Sequence, residues 1–180
     1  MKRILILVGS ARHEGNTLKL AEAFAEGAQQ STDIVTISDL NIHPCHACDY
    51  CFASAGNQCA QHDDMNLIYE KMKHTDVLVL ASPIYFFGIS AQLKCLIDRL
   101  HNPIRQQFPI KQLGLLLVAG SSRPYMFETT KKQFEIALNH FGKESIGIIT
   151  VSGVRAPGDI DNQPDALNAA RAMGAALQES

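Results

Sequence analysis

Three stretches of this chain carry residue types that could do chemistry. The first is Gly9-Ser10-Ala11-Arg12-His13-Glu14-Gly15-Asn16-Thr17, rich in hydroxyl, amide and glycine positions, between an aliphatic run and a helical pattern opening at Leu18. Unsatisfied backbone N–H groups and the positive end of a helix dipole make such a helix start an anion site. The kind of anion follows from what is missing. A Walker loop, G-x-x-x-x-G-K-[ST], fails because five residues separate Gly9 from Gly15 and Asn16 stands where lysine belongs. A dinucleotide fingerprint fails because Ala11 takes the second glycine position, while His13 and Glu14 crowd the approach of a pyrophosphate. What is left suits one phosphomonoester held by Ser10, Asn16, Thr17 and backbone amides running to Leu18, with Arg12 as the charge. The competing reading is a plain strand-to-helix turn in which Asn16 or Thr17 caps the helix.

The second stretch is Cys45-x2-Cys48-x2-Cys51-x7-Cys59, whose first three thiols recur every third residue, a spacing that lets a compact chain wrap one metal centre. A ferredoxin run shares C-x2-C-x2-C but closes with C-x3-C-P, whereas here the fourth cysteine comes after seven residues and no proline follows. Cys95 falls in a helical pattern and reads as a packing residue. The third stretch, Ile84-Tyr85-Phe86-Phe87-Gly88, offers flat aromatic surface and loop amides to a heteroaromatic ring. Any one of these aromatics alone would read as core. Together, in a loop following a strand and opposite a phosphate site, they point to a mononucleotide-sized cofactor touching Pro83, Ile84, Tyr85, Phe86 and Gly88. A further loop, Ala119 to Pro124, adds Gly120 and Ser121, and at Gly120 the backbone can approach a ring closely.

The elements that must position these stretches alternate. Ile4 to Val8 is a continuous aliphatic run bounded by Gly9, the mark of a strand buried on both faces of a parallel sheet. Helical spacing follows from about Asn16 to Gln30, then strand patterns at Asp33 to Ser38, Val77 to Ala81, Leu113 to Gly120 and Ile146 to Val151. Helices are expected from Asp63-Asp64, around Leu93, Leu96, Ile97 and Leu100, from about Tyr125 to Phe141, and at the end through Leu167, Ala170, Gly174 and Leu177. Asp39 to His62 has no periodicity, and a loop of that length in a compact domain is usually functional or disordered. The expectation is an α/β fold, one doubly wound domain over 1–180 with a cysteine-rich loop at about 39–62. Its right-handed crossovers bring the three ligand loops to the carboxyl ends of the strands.

Composition narrows the function. The chain has 180 residues, 46% hydrophobic and 19% charged, with Lys+Arg 16 against Asp+Glu 18. A net charge of -2 and a pI near 6.4 argue against an electrostatic binder of nucleic acid or of a membrane surface. The apolar run after Met1-Lys2-Arg3 is too short for a signal-peptide core, and no stretch approaches a membrane span. A cytoplasmic location is expected, where thiols stay reduced and five cysteines read as ligands or reactive groups. No Ser/His/Asp order or paired-carboxylate spacing suggests hydrolysis. Asp63-Asp64 reads as a helix start, and Lys94 and Arg99 as a solvated helix face or subunit contacts.

At these residues the sequence resembles the flavodoxin-fold family of NAD(P)H-dependent FMN reductases and multimeric flavodoxin-like proteins. The matching motifs are Gly9-Ser10-Ala11-Arg12 with Gly15-Asn16-Thr17, Cys45 to Cys59 leading into Asp63-Asp64-Met65, Ser82-Pro83-Ile84-Tyr85-Phe86, Ser90-Ala91-Gln92-Leu93-Lys94 and Asp98-Arg99. The resemblance implies a five-stranded sheet of order 2-1-3-4-5, FMN phosphate on the first loop, isoalloxazine against the other two, NAD(P)H as electron donor and a homodimer or homotetramer. The cysteine pattern is similar to that of iron–sulfur flavoproteins, which bind a [4Fe-4S] cluster at such a motif. Relatives without a cluster also carry cysteines here, so the loop is compatible with a cluster on Cys45, Cys48, Cys51 and Cys59, with redox-active thiols, or with zinc completed by His46 or His62. The function this implies passes electrons from NAD(P)H through FMN to a small-molecule, flavin or quinone acceptor. The alternative is an electron carrier using FMN and a cluster, with a ferredoxin-like partner.

Overall fold

The computed structural model describes residues 1–178, so the last two residues of the chain lie outside the described residues. The aliphatic run forms β1 (Arg3–Val8), which pairs in parallel with β2 (Ser31–Thr36) on one side and β3 (Val77–Pro83) on the other. With β4 (Gln112–Val118) and β5 (Glu144–Val151) this gives a five-stranded sheet of order β2-β1-β3-β4-β5, all parallel. The order is the expected one.

Helices cover both faces, and β1 shows why its run is unbroken. Ile4, Ile6 and Val8 face the layer of α1 (Asn16–Ala28) and α6 (Pro164–Ala175), packing on Leu20, Ala21 and Phe24. Leu5 and Leu7 face the opposite layer, where α3 (Met65–Met72) and α4 (Ala91–Arg99) supply Met65, Ile68, Leu93 and Leu96. On that same face α5 (Glu128–Phe141) sets Phe134 and Leu138 over Leu115 and Leu117 of β4. The long segment between β2 and α3 contains one short helix, α2 (Tyr50–Ala53), flanked by turns.

Some boundaries move. β2 begins two residues before Asp33 because its pairing starts at Arg3 opposite Ser31, and Ile37–Asp39 leave the sheet as a 3₁₀ turn. β5 likewise begins at Glu144, opposite Gln112, before a register irregularity at Leu113/Gly114. Two glycines, Gly27 on α1 and Gly174 on α6, have a definite use. A Cβ on Gly27 would stand 2.0 Å from the Arg171 carbonyl oxygen, and one on Gly174 would stand 2.2 Å from that of Phe24. Backbone therefore meets backbone where α1 crosses α6. Gly174→Ala should force the helices apart, costing about 3 kcal/mol as an overpacked contact. In a domain of this size that lowers Tm by roughly 6–12 °C, read by circular dichroism. An unchanged Tm would contradict the close crossing.

Candidate functional site

The carboxyl ends of β1, β3, β4 and β5 surround a cavity of about 290 Å³ lined by Ser10, Arg12, Gly15, Asn16, Thr17, Pro83, Ile84, Tyr85, Val118, Gly120, Val154 and Arg155. Two arginines and no carboxylate stand in that lining, so an anion is the favoured occupant. The first loop turns tightly: the Arg12 amide donates to Ser10 Oγ at 3.1 Å, and the Gly15 amide to the Arg12 carbonyl at 3.1 Å. α1 then starts behind Gly15 with no side-chain cap. Its first amides are therefore free for a ligand, in the manner of an anion-binding helix start. Ser10 and Thr17 are buried at the cavity wall.

Asn16 does something other than the sequence suggests. Its Nδ2 donates to the Ala156 carbonyl at 2.9 Å and its Oδ1 accepts from the Ile160 amide at 3.2 Å, so both ends of the side chain clamp the loop after β5. Neither the N-cap reading of Asn16 nor that of Thr17 holds, because the cap position is Gly15. Arg12 Nη1 donates to the Arg155 carbonyl at 2.8 Å, tying the same two loops together. Asp159 fixes the second loop by accepting from the Arg155 and Ala156 amides at 2.8 and 2.7 Å. Val154 and Arg155 were missed because Gly153 to Pro164 reads as a connector. The signal was its position after a strand on the same rim, with an arginine in it.

Of the residues expected to touch a cofactor, Ser10, Arg12, Asn16, Thr17, Pro83, Ile84, Tyr85 and Gly120 come together at this cavity. Leu18, Phe86, Gly88 and Ser121 do not line it; the Ser121 hydroxyl instead accepts from the Arg123 amide at 3.3 Å. His13 and Glu14 leave the mouth open, His13 standing 3.5 Å from Asp39 on the surface.

The aromatic loop is a two-residue hairpin. Tyr85 and Gly88 exchange backbone hydrogen bonds at 2.9 and 3.1 Å, which leaves the amides of Phe86 and Phe87 as the ones unpaired within the turn. Both phenylalanines have positive φ, 50° and 67°. That conformation costs an ordinary side chain of order 1 kcal/mol or more and persists where the surroundings impose it. Phe86 is 99% exposed, and Phe87 stacks on Tyr125 with ring centroids 6.2 Å apart. Large aromatic surface is therefore exposed in the loop whose Tyr85 lines the cavity.

A second cavity lies apart from the first and shares no lining residue with it. Cys45, Cys48, Cys51 and Cys59 all line it, and all are free thiols. Burial pushes the Cys51 thiol up, and the other three sulfurs reinforce this against the lowering effect of its backbone hydrogen bond. Ala47, Asp49 and Asn57 take positive φ of 52°, 53° and 56°, the backbone twists that bring the run round this space. Among the described residues, no group of three or more His, Cys, Asp or Glu side chains is placed to hold one metal ion. His46 lines the cavity and His62 does not. Mononuclear zinc needs four donors at one point, so that option loses support, whereas a cluster spreads its ligands one per iron. The cavity measures about 30 Å³, and two of the four thiols round it, Cys45 and Cys48, are exposed.

The base of this loop is closed by a buried ion pair. Arg99, read from sequence as a surface residue, has a side chain 1% exposed, and Asp63 one 2% exposed. Arg99 Nη1 donates to Asp63 Oδ2 at 2.7 Å and Nη2 to Asp63 Oδ1 at 3.1 Å. Asp63 also accepts from the amides of His43 and Met65 at 3.0 and 3.2 Å, and Asp64 from the Asn41 amide at 2.7 Å. The two acids thus staple the entry of the loop to its exit. Burial pushes the Asp63 carboxyl up, but the Arg99 hydrogen bonds, the His43 amide and the Arg99 charge outweigh it and leave the group below its ordinary value. A carboxylate depressed in the folded state stabilises above its unfolded value, near 4, and loses that contribution as pH falls through the lower folded value. The protection factors of the His43 and Met65 amides, exchange corrected for its intrinsic pH dependence, should therefore fall below about pH 4 and stay flat between pH 5 and 8. Protection that is unchanged down to pH 2, or that falls only above neutrality, would contradict the staple.

Comparison with known proteins gives the site a context. The profile of the family described as NADPH-dependent FMN reductase matches residues 2–138. An iron-sulfur flavoprotein of Methanocaldococcus jannaschii is 33% identical over 98% of this chain and 96% of its own. An FMN-dependent NADH:quinone oxidoreductase of Vibrio parahaemolyticus is 28% identical over 90% of this chain and 76% of its own. Among solved structures, the Trp repressor binding protein of Bacillus subtilis superposes with a TM-score of 0.71 at 30% identity, covering 94% of this chain and 99% of that one.

Proposed function

Because the chain belongs to the NADPH-dependent FMN reductase family and is an NAD(P)H-dependent FMN oxidoreductase, we propose that its rim cavity seats FMN phosphate-first. The observation that carries this is an uncapped helix start beside two arginines and no acid. Arg12 and Arg155 supply charge, the α1 amides and the buried Ser10 and Thr17 hydroxyls supply hydrogen bonds, and Asn16 keeps the two phosphate loops together. Ile84, Tyr85 and Gly120 are the lining residues that would hold the ring. FMN, when bound, accepts a hydride from reduced nicotinamide and releases electrons singly or in pairs. The protein needs no acid or base for that; it orients the ring and keeps the approach side apolar with Phe86, Phe87 and Tyr125.

The cysteine cavity supports the second reading, an electron carrier in which Cys45, Cys48, Cys51 and Cys59 hold a [4Fe-4S] cluster. Four thiols face one space, and Cys59 Sγ already accepts hydrogen bonds from Arg99 Nη2 at 3.3 Å and the Gln61 amide at 3.5 Å. N–H groups aimed at sulfur suit a ligand that carries negative charge. In this reading a ferredoxin-like protein is the partner; in the first, a quinone, flavin or other small molecule is the acceptor. We read the chain as one flavodoxin-like domain, assembled as a homodimer or homotetramer that covers the exposed aromatic rim, and resident in the cytoplasm, where its free thiols persist. Among the described residues no helix is long and apolar enough to cross a membrane.

The test is a visible spectrum of protein purified without air, taken before and after NADPH under nitrogen, with iron and sulfide analysis of the same sample. A flavin spectrum bleached by NADPH supports the reductase, and about four iron per chain supports the carrier. Flavin without iron leaves the reductase and removes the carrier. A colourless protein that does not take up added FMN ends both.

A further inference from the structure

We propose that Arg99 is a positioning residue for the cysteine centre, its Nη2 donating to Cys59 Sγ and so raising the reduction potential of the group those thiols hold. This rests on the cluster reading above. Arg99 ends α4 and points back under the cysteine loop, where it makes four hydrogen bonds: two to Asp63, one from Nη1 to the His43 carbonyl at 2.9 Å, and one to Cys59 at 3.3 Å. The first three are enough to close the base of the loop. The fourth is not needed for closure, since Cys59 lies in the loop itself and is already held by its neighbours, Gln61 donating to it and to the Pro44 carbonyl.

The charges explain what the fourth bond does. Asp63 neutralises the guanidinium at close range, so little net charge reaches the sulfur, and what remains is a directed N–H dipole. One-electron reduction of a cluster held there, with reduced flavin as the donor, would add one negative charge shared with the ligand sulfurs. An N–H aimed at one of them stabilises that added charge, which moves the potential upward. Only arginine can do this while holding Asp63 and His43, because its planar fork presents five donors in fixed directions; lysine offers one point charge. The backbone frames the same geometry, Tyr69 Oη donating to the Arg99 carbonyl at 2.7 Å and Asn102 Nδ2 to the Asn57 carbonyl at 2.9 Å.

The experiment uses the iron-loaded full chain. Arg99→Lys keeps the charge opposite Asp63 and loses the fork. Its iron content should match the wild type, while its cluster is harder to reduce: at a fixed ambient potential the reduced-to-oxidised ratio falls about tenfold, or about 59 mV for one electron. A second measurement needs no variant. In wild-type protein labelled with ¹⁵N-arginine, the Arg99 Nη2 signal should be hyperfine-shifted through Cys59, and no other arginine side chain should be. If Arg99→Lys holds iron with an unmoved potential, or if the Arg99 signal is unshifted in the wild type, the role assigned to Arg99 is overturned and the cluster reading survives. Should Arg99→Lys fail to fold or to load iron, the labelled wild-type spectrum decides alone. A wild-type protein without iron overturns the cluster reading and this inference with it.

Discussion

Replacing Cys48 and Cys51 together with serine strips the iron from protein purified without air, from about four per chain to none, and leaves FMN bound. The size of the effect follows from ligand count: two of the four thiols round the cavity are gone, and a serine hydroxyl is a poor substitute for thiolate at iron. The selectivity follows from geometry. The cysteine cavity and the rim cavity share no wall, and neither Cys48 nor Cys51 belongs to the buried core. Iron that stays at wild-type level in the double variant would show that these thiols are not ligands. Flavin lost along with the iron would show that the two sites are one.

Removing both arginines at the rim, Arg12→Ala with Arg155→Ala, weakens FMN binding by at least about 100-fold. A hydrogen bond to a charged group contributes about 1.5–3 kcal/mol, and 1.4 kcal/mol is tenfold in affinity, so two such contacts multiply to that scale. Both side chains are exposed, so the fold should hold and the loss should appear in the dissociation constant rather than in Tm. Equilibrium fluorescence titration of the apoprotein reads it. A change of less than about threefold would place the phosphate elsewhere.

Much of this was visible in the residues alone, for a physical reason. Strands such as β1 and β3, buried on both faces, must be apolar at nearly every position, and no other element of that length is. The glycine that ends β1 and the polar residues behind it marked the anion loop in the same way. Edge strands were less legible: β2 recruits Ser31 and Thr32 through backbone pairing, which leaves no hydrophobic trace. Arg99 was misread because its burial depends on Asp63, 36 residues earlier just before α3, and charge at a helix end usually means solvent. A trace existed: Arg99 lies three residues after Leu96 and six after Leu93, on the buried stripe of α4. Asn16 shows the opposite limit. Its type was right for a phosphate loop, but only the structure shows both ends of its side chain taken by backbone from the other end of the chain.

The claim on which the rest depends is that the rim cavity grips a terminal phosphate. Calorimetric titration of the apoprotein with FMN and, separately, with riboflavin, which has the same ring and chain but no phosphate, tests it most directly. FMN is predicted to bind at least about 100-fold more tightly than riboflavin, from the charged hydrogen bonds the phosphate adds. Equal affinities for the two would contradict it.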